Sequence, residues 1–301
     1  MNKHPSCIIA ATDLSLPASY AVGRAALLAR QLGTHLRLLH STNEGDWLER
    51  WSMGSYAPIS RDLWRESTVS ALAQACERLS AEHGMPVDAE VVDEPLPIAL
   101  ARLAGSSEPA MVVVGAHGSR GVRESLLGST ADRLLRAGHL PVLLVRNEPR
   151  AGYARVALGT DFSEASRLAA ILGMSLTPGA DHYLLHAYRL PLDRDLAFAS
   201  RSPETLEFYR SEVLSEAARD LAGFAHALGP SGRGITRAPR EGATAEVLGE
   251  FVEEVGIDLL VVGARPRAHW EANLLGSTAL FAVTGLPCDV LLVPHHPAEV
   301  P

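Results

Sequence analysis

The apolar residues follow two alternating patterns. Short runs such as Met111-Val112-Val113-Val114 and Val142-Leu143-Leu144-Val145 are apolar at every position, the mark of strands buried on both faces of a sheet. Longer stretches between them have the apolar spacing of helices that cover a core on one side. In the first half this predicts strands near 6–11, 35–41, 86–92, 110–115 and 140–146, and helices near 17–32, 58–83, 97–107 and 129–137. The second half predicts strands near 154–160, 181–187, 234–240, 258–263 and 289–294, with 204–228 in place of the long second helix. Strict alternation of strand and helix implies a doubly wound parallel α/β sheet.

The two halves are copies of one another. Ile8-Ile9-Ala10-Ala11-Thr12-Asp13-Leu14-Ser15 recurs as Val156-Ala157-Leu158-Gly159-Thr160-Asp161-Phe162-Ser163, with the aspartates 148 residues apart. Val112-Val113-Val114-Gly115 and Leu127-Gly128-Ser129-Thr130 return at the same offset, as Leu260-Val261-Val262-Gly263 and Leu275-Gly276-Ser277-Thr278, and Leu38-Leu39-His40 returns as Leu184-Leu185-His186 at 146. Collinear matches at nearly one offset indicate duplication. The expected domains are 1–147 and 153–301, joined by the polar segment Asn147-Glu148-Pro149-Arg150-Ala151-Gly152, whose Pro and Gly suit a linker.

Parallel α/β sheets bind ligands at the carboxyl ends of their strands, where the winding reverses. The fourth strand is followed by a Gly-x2-Gly-x9-Gly-Ser pattern: Gly115, Gly118, Gly128 and Ser129. Gly115 and Gly118 are expected to adopt positive φ and let a phosphate approach bare backbone. Gly128 and Ser129 open the next helix, whose N-terminus offers free N–H groups to an anion. Ser129 with Asp132 also fits a capping box, a purely structural role compatible with the first. Asp13 follows the first strand and can accept from ribose hydroxyls or help hold Mg²⁺ beside phosphates. Its plain alternative is to cap the helix near Pro17; placement beside the glycine loop favours the crevice. Arg120 and Arg123 read equally as a flap over a triphosphate or as solvated charges.

This spacing, with Thr-Asp-x-Ser after the first strand, resembles the universal stress protein family over nearly the whole chain, twice. The resemblance implies an adenine nucleotide alpha hydrolase-like fold with five-stranded sheets in the order 3-2-1-4-5. It also implies ATP, or ADP or AMP, at Asp13, Gly115, Gly118, Gly128 and Ser129, with Ser41 against the adenine through its backbone and His117, Arg120 and Thr130 along the phosphate path. Members of the family are mostly binders and regulators rather than efficient enzymes. In related proteins the last strand mediates dimer contacts; by analogy the apolar Val142–Val145 and Val290–Val293 strands would join the halves as an internal pseudo-dimer, and a homodimer and a protein partner are compatible with the family.

The second copy departs from the pattern, because Pro266 replaces the middle glycine. Proline fixes φ near −65° and removes the N–H, so this copy is expected to bind nucleotide weakly or not at all. Arg265 and Arg267 leave room for a different anion.

Charge and composition narrow the function. A net charge of −8 without a basic tract argues against nucleic acid or an anionic membrane. No run approaches a membrane span, and Cys7–Ala11 is too short for a secretory core, so a cytoplasmic protein is expected. Cys7, Cys76 and Cys288 are far apart and read as reduced thiols. His40 and His186, at equivalent strand ends, suggest a shared structural role rather than a metal site. A Walker lysine and a nucleophile elbow are both missing, so fast phosphoryl transfer is not expected, although slow ATP hydrolysis is compatible. The resulting reading is a nucleotide-binding stress-response regulator. A partner-binding module with incidental nucleotide, and a hydrolase or transferase of adenosine phosphates, are the alternatives.

Overall fold

The computed structural model describes residues 5–42, 61–104, 110–116, 129–138, 140–190, 203–264 and 276–295. The chain forms two compact units, one from Met1–Gly152 and the other from Tyr153–Arg265 with Gly276–Pro301. In the first unit the order is β1 (Cys7–Ala11), α1 (Leu16–Leu32), β2 (His35–Ser41), α2 (Arg61–His83), β3 (Val87–Val92), α3 (Leu96–Ala104), β4 (Ala110–Gly115), α4 (Ser129–Ala137) and β5 (Val142–Val145). Its strands pair in parallel in the order β3-β2-β1-β4-β5. The second unit holds β6 (Arg155–Gly159), α5 (Glu164–Leu176), β7 (Asp181–Tyr188), α6 (Pro203–Ala227), a 3-10 turn (Gly229–Gly232), β8 (Thr236–Glu241), α7 (Thr244–Val255), β9 (Leu259–Ala264), α8 (Ser277–Gly285) and β10 (Asp289–Pro294). Its strands are also parallel, in the order β8-β7-β6-β9-β10. Each unit is therefore a doubly wound α/β sheet of order 3-2-1-4-5.

The sequence explains which strands lie inside. All five residues of β1 are buried, as are Met111–Gly115 of β4 and every residue of β5. Strand β8, at the end of its unit's order, is more polar, reading Thr-Arg-Ala-Pro-Arg-Glu, and charges and proline on an edge discourage further pairing. Strand β5 coincides with the apolar run and is shorter than the expected 140–146; Pro141, just before it, has no N–H to give the ladder. Its carbonyl still accepts the Val112 N–H at 2.8 Å.

Helix ends follow local chemistry. Ser15 caps α1 by accepting the Ala18 N–H, Pro17 sits in the first turn, and Gly33 ends the helix at φ 63°. The Thr34 N–H then reaches the Ala29 carbonyl at 3.0 Å, closing a Schellman turn that needs the left-handed glycine. The segment expected as a free linker is tied down. The buried Arg24 of α1 donates to the Ala151 carbonyl at 2.7 Å, and Pro149 packs where a side chain on Gly23 would stand. Cys7 and Cys288 are buried, and Cys76 is half-buried. Among the described residues no helix is long and apolar enough to cross a membrane.

Candidate functional site

Strand β1 lies between β2 and β4, so the winding of the first unit reverses beside it. The register places Ala10 opposite Val113 and Ala11 opposite Leu39. The residues just beyond these strands, Asp13, Ala116 and Thr42, therefore emerge together at the carboxyl edge. Because β4 and β5 are parallel neighbours, α4 must run back across the sheet, and its first turn starts at this same edge.

The segment Thr12-Asp13-Leu14-Ser15 forms a tight turn held by its own side chains. The Leu14 N–H donates to Thr12 Oγ1 and the Ser15 N–H to Asp13 Oδ1, both at 3.0 Å. Leu14 takes φ 63°, a left-handed conformation that strains a non-glycine residue by about 1–2 kcal/mol. From below, the buried His40 donates its Nδ1–H to the Thr12 carbonyl at 2.8 Å; a carbonyl can only accept, so this bond fixes the proton on Nδ1. Leu14 is 46% exposed, and Asp13 is half-buried.

The expected site residues fall as follows. Asp13 does not cap α1; Ser15 does, and Asp13 accepts from the Ser15 N–H. Ser41 is the last residue of β2 rather than a residue beyond it, and its hydroxyl donates to the Glu94 carbonyl at 2.8 Å. Gly115 is an extended strand residue opposite Val145, so positive φ is not its reason for being glycine. Ser129 is the first residue of α4, not its cap, and Asp132 instead takes both contacts of Arg136 Nε, at 2.9 and 2.8 Å. Thr130 is exposed in the first turn of α4. His117, Gly118, Arg120 and Gly128 lie outside the described residues, as do Arg123, Arg265, Pro266, Arg267 and Trp270.

A further polar group stands beside Ser41. Thr42 Oγ1 and Arg65, in the first turns of α2, both donate to the Asp93 carboxylate beyond β3. Nothing in the spacing pointed to this cluster, whereas the turn and its histidine were signalled by their recurrence 148 and 146 residues later.

The second unit repeats the turn closely. The Phe162 N–H donates to Thr160 Oγ1 at 2.9 Å, the Ser163 N–H to Asp161 Oδ1 at 3.1 Å, and Phe162 has φ 63°. His186 donates from Nδ1 to the Thr160 carbonyl at 2.8 Å. The Phe162 ring lies on His186, centroids 4.2 Å apart. Here the role of the strand-end glycine is visible. A Cβ on Gly263 would stand 2.6 Å from the Ala165 carbonyl carbon and oxygen, so the first turn of α5 requires glycine there. Helix α8 is capped by Gly276 without a side-chain bond, and Ser277 is its first residue.

The edge of the first unit brings together the Asp13 carboxylate, a hydrogen-bond acceptor, and the opening of α4, whose first N–H groups have no partner within the helix. Among the described residues no group of three or more His, Cys, Asp or Glu could hold a metal.

Comparison with known proteins agrees with the duplicated architecture. The family model described as "Universal stress protein family" matches residues 7–146 and again 152–294. Universal stress protein Rv2623 of Mycobacterium tuberculosis is 30% identical over 280 residues, 90% of each chain. Universal stress protein Rv1996 of the same species is 30% identical over 242 residues, covering 74% of this chain and 71% of that one. A solved universal stress protein from Archaeoglobus fulgidus shares the fold with a TM-score of 0.68 at 15% identity, covering 97% of this chain and 99% of that one. With each half matched separately and the mycobacterial likeness running through both, the chain belongs to the universal stress protein family.

Proposed function

We propose that the first unit binds ATP, or ADP or AMP in its place, and that the chain acts as a cytoplasmic nucleotide-responsive stress regulator rather than an enzyme. The observation that carries this reading is a convergence at one sheet edge: the strained Thr12–Ser15 turn presenting Asp13, the end of β4 at Gly115, and the opening of α4 at Ser129. Backbone strain is characteristically kept at binding sites. In this reading Asp13 accepts from the ribose, the backbone at Ser41 borders the base, and Ser129 and Thr130 meet the phosphates. Gly118 and Gly128 leave the phosphate path clear, with His117 and Arg120 alongside it. Mg²⁺ would arrive with the phosphates. The nucleotide would favour one conformation or assembly state, which a protein partner or a second copy reads.

Titration calorimetry tests this directly. Wild type is expected to bind ATP, and Gly118→Pro, which imports the proline of the second copy, is expected to weaken binding at least tenfold. Equal affinity in the two proteins would remove the role given to the glycine loop. Mass spectrometry of nucleotide released on denaturation identifies the ligand.

A second reading, a partner-binding module in which nucleotide is incidental, draws on the second unit. Its turn keeps the left-handed Phe162 and the His186 bond although its loop carries Pro266, so that geometry also serves the fold alone. A wild-type protein that binds no adenine nucleotide would favour this module.

A further inference from the structure

The second unit holds a cavity of about 490 Å³ at the amino edge of its sheet, between the end of α6 and the start of β8. This is the edge opposite its Thr160–Ser163 turn. The cavity is open to solvent: Ala225, Pro230 and Ile235 line it, and its polar groups, Arg233, Arg237 and His226, are all exposed. The shape is built by glycine. Gly229 and Gly234 take φ 68° and 85°, and a Cβ on Gly232 would lie 1.9 Å from the Ala225 carbonyl oxygen, so no other residue closes the loop this way. In the first unit the corresponding turn is only Gly84-Met85-Pro86 between α2 and β3. The cavity therefore belongs to the second copy and not to the shared fold.

Its lining is basic. The chain carries a net −8, yet no acidic residue lines the cavity. Arg167, Arg210 and Arg240 of the same unit each meet a glutamate, at 2.6, 3.8 and 3.2 Å. Arg233 and Arg237 make no ion pair among the described residues, which they share with Arg155, Arg189 and Arg219 of the same unit; what sets them apart is that both line one pocket. A plain role exists for His226 and Arg233, which stand near the α6 C-terminus and can offset its dipole. That dipole amounts to about half a charge, and two guanidiniums exceed it. Guanidinium is suited to planar, bidentate recognition of an oxyanion, and the volume is that of a small-molecule site. Two arginines suit one phosphate group rather than a long polyanion, which needs many phosphate contacts.

We propose that this cavity binds a small phosphate monoester, its phosphate on Arg233 and Arg237 and its body against Pro230 and Ile235. The site is separate from the nucleotide crevice of the first unit and stands or falls independently of it.

The test is titration of the full chain with phenyl phosphate and with inorganic phosphate, with amide shifts followed by NMR. Saturable binding of phenyl phosphate is expected, about tenfold tighter than inorganic phosphate, with shifts at Arg233, Gly234 and Arg237. Arg233→Gln and Arg237→Gln should each weaken it about tenfold, while Arg167→Gln and Asp13→Ala leave it unchanged. Absence of saturation, or unaltered binding in both cavity variants, would overturn the site. Loss of binding in Asp13→Ala would reassign it to the nucleotide crevice, and equal affinity for the two phosphates would overturn the assignment of an ester.

Discussion

The histidine beneath each turn is where structure and proposed function separate most cleanly at the residue scale. His40 and His186 make the same 2.8 Å bond to a threonine carbonyl. Replacing either by leucine leaves that carbonyl without its donor, and each variant should lose about 1–3 kcal/mol in urea unfolding. If the turn of the first unit presents Asp13 to a nucleotide, His40→Leu should also weaken ATP binding about tenfold, while His186→Leu should not. Equal affinities in the two variants, with wild type binding ATP, would show that the histidine serves the fold alone. The recurrence of His40 at 186 made this role legible in the sequence. What could not be read was the atom it holds, because Thr12 lies 28 residues away, in the turn after β1.

Contacts between elements account for the rest of what the sequence concealed. The alternation of apolar runs located every strand, although β5 and β8 each start two residues later than expected, β5 just after Pro141. Glycine at the end of β4 and β9 was visible, but its reason was not. At Gly263 the reason is the backbone of α5, 98 residues earlier in the chain. Gly263→Ala should therefore overpack this junction and destabilise the second unit by about 1–3 kcal/mol. Gly249→Ala offers the contrast: it sits inside α7, its new methyl would meet only Phe281 at 4.0 Å, and it should stabilise by about 0.5–1 kcal/mol. Thermal unfolding of the two variants reads both signs. The junction between α5 and β7 adds a pH dependence. Thr177 caps α5 by donating to the Gly173 carbonyl at 2.8 Å and meets His182 Nε2 at 2.9 Å. Burial pushes the His182 imidazole below its ordinary 6.5, against the opposing pull of Asp181. The folded state thus holds the neutral ring while the unfolded chain takes up a proton. Stability from this source is complete above pH 6.5 and falls as pH drops below it. Urea midpoints measured from about pH 8 to pH 5 should decline less steeply in His182→Gln.

For the whole molecule, duplication has kept the architecture and let the sites diverge. Both units retain the order 3-2-1-4-5, the left-handed residue at 14 and 162, and a helix opening at the serine after Gly128 and Gly276. The loop after the fourth strand of each unit differs at every position from 117–125 to 265–273, and the change from glycine at 118 to proline at 266 is the one with a direct backbone consequence. Proline there withdraws an N–H and denies positive φ, so a phosphate that needs bare backbone loses its cradle even though Asp161 remains. The chain should accordingly bind one nucleotide, not two. Calorimetry should give a stoichiometry near one ATP per chain, and Asp13→Ala should weaken that binding about tenfold or more, the effect of removing a charged acceptor. Asp161→Ala should change neither number. Two equivalent sites per chain, or equal sensitivity to both aspartate variants, would mean that the second loop has found another way to hold phosphate, with Arg265 and Arg267 the first residues to replace.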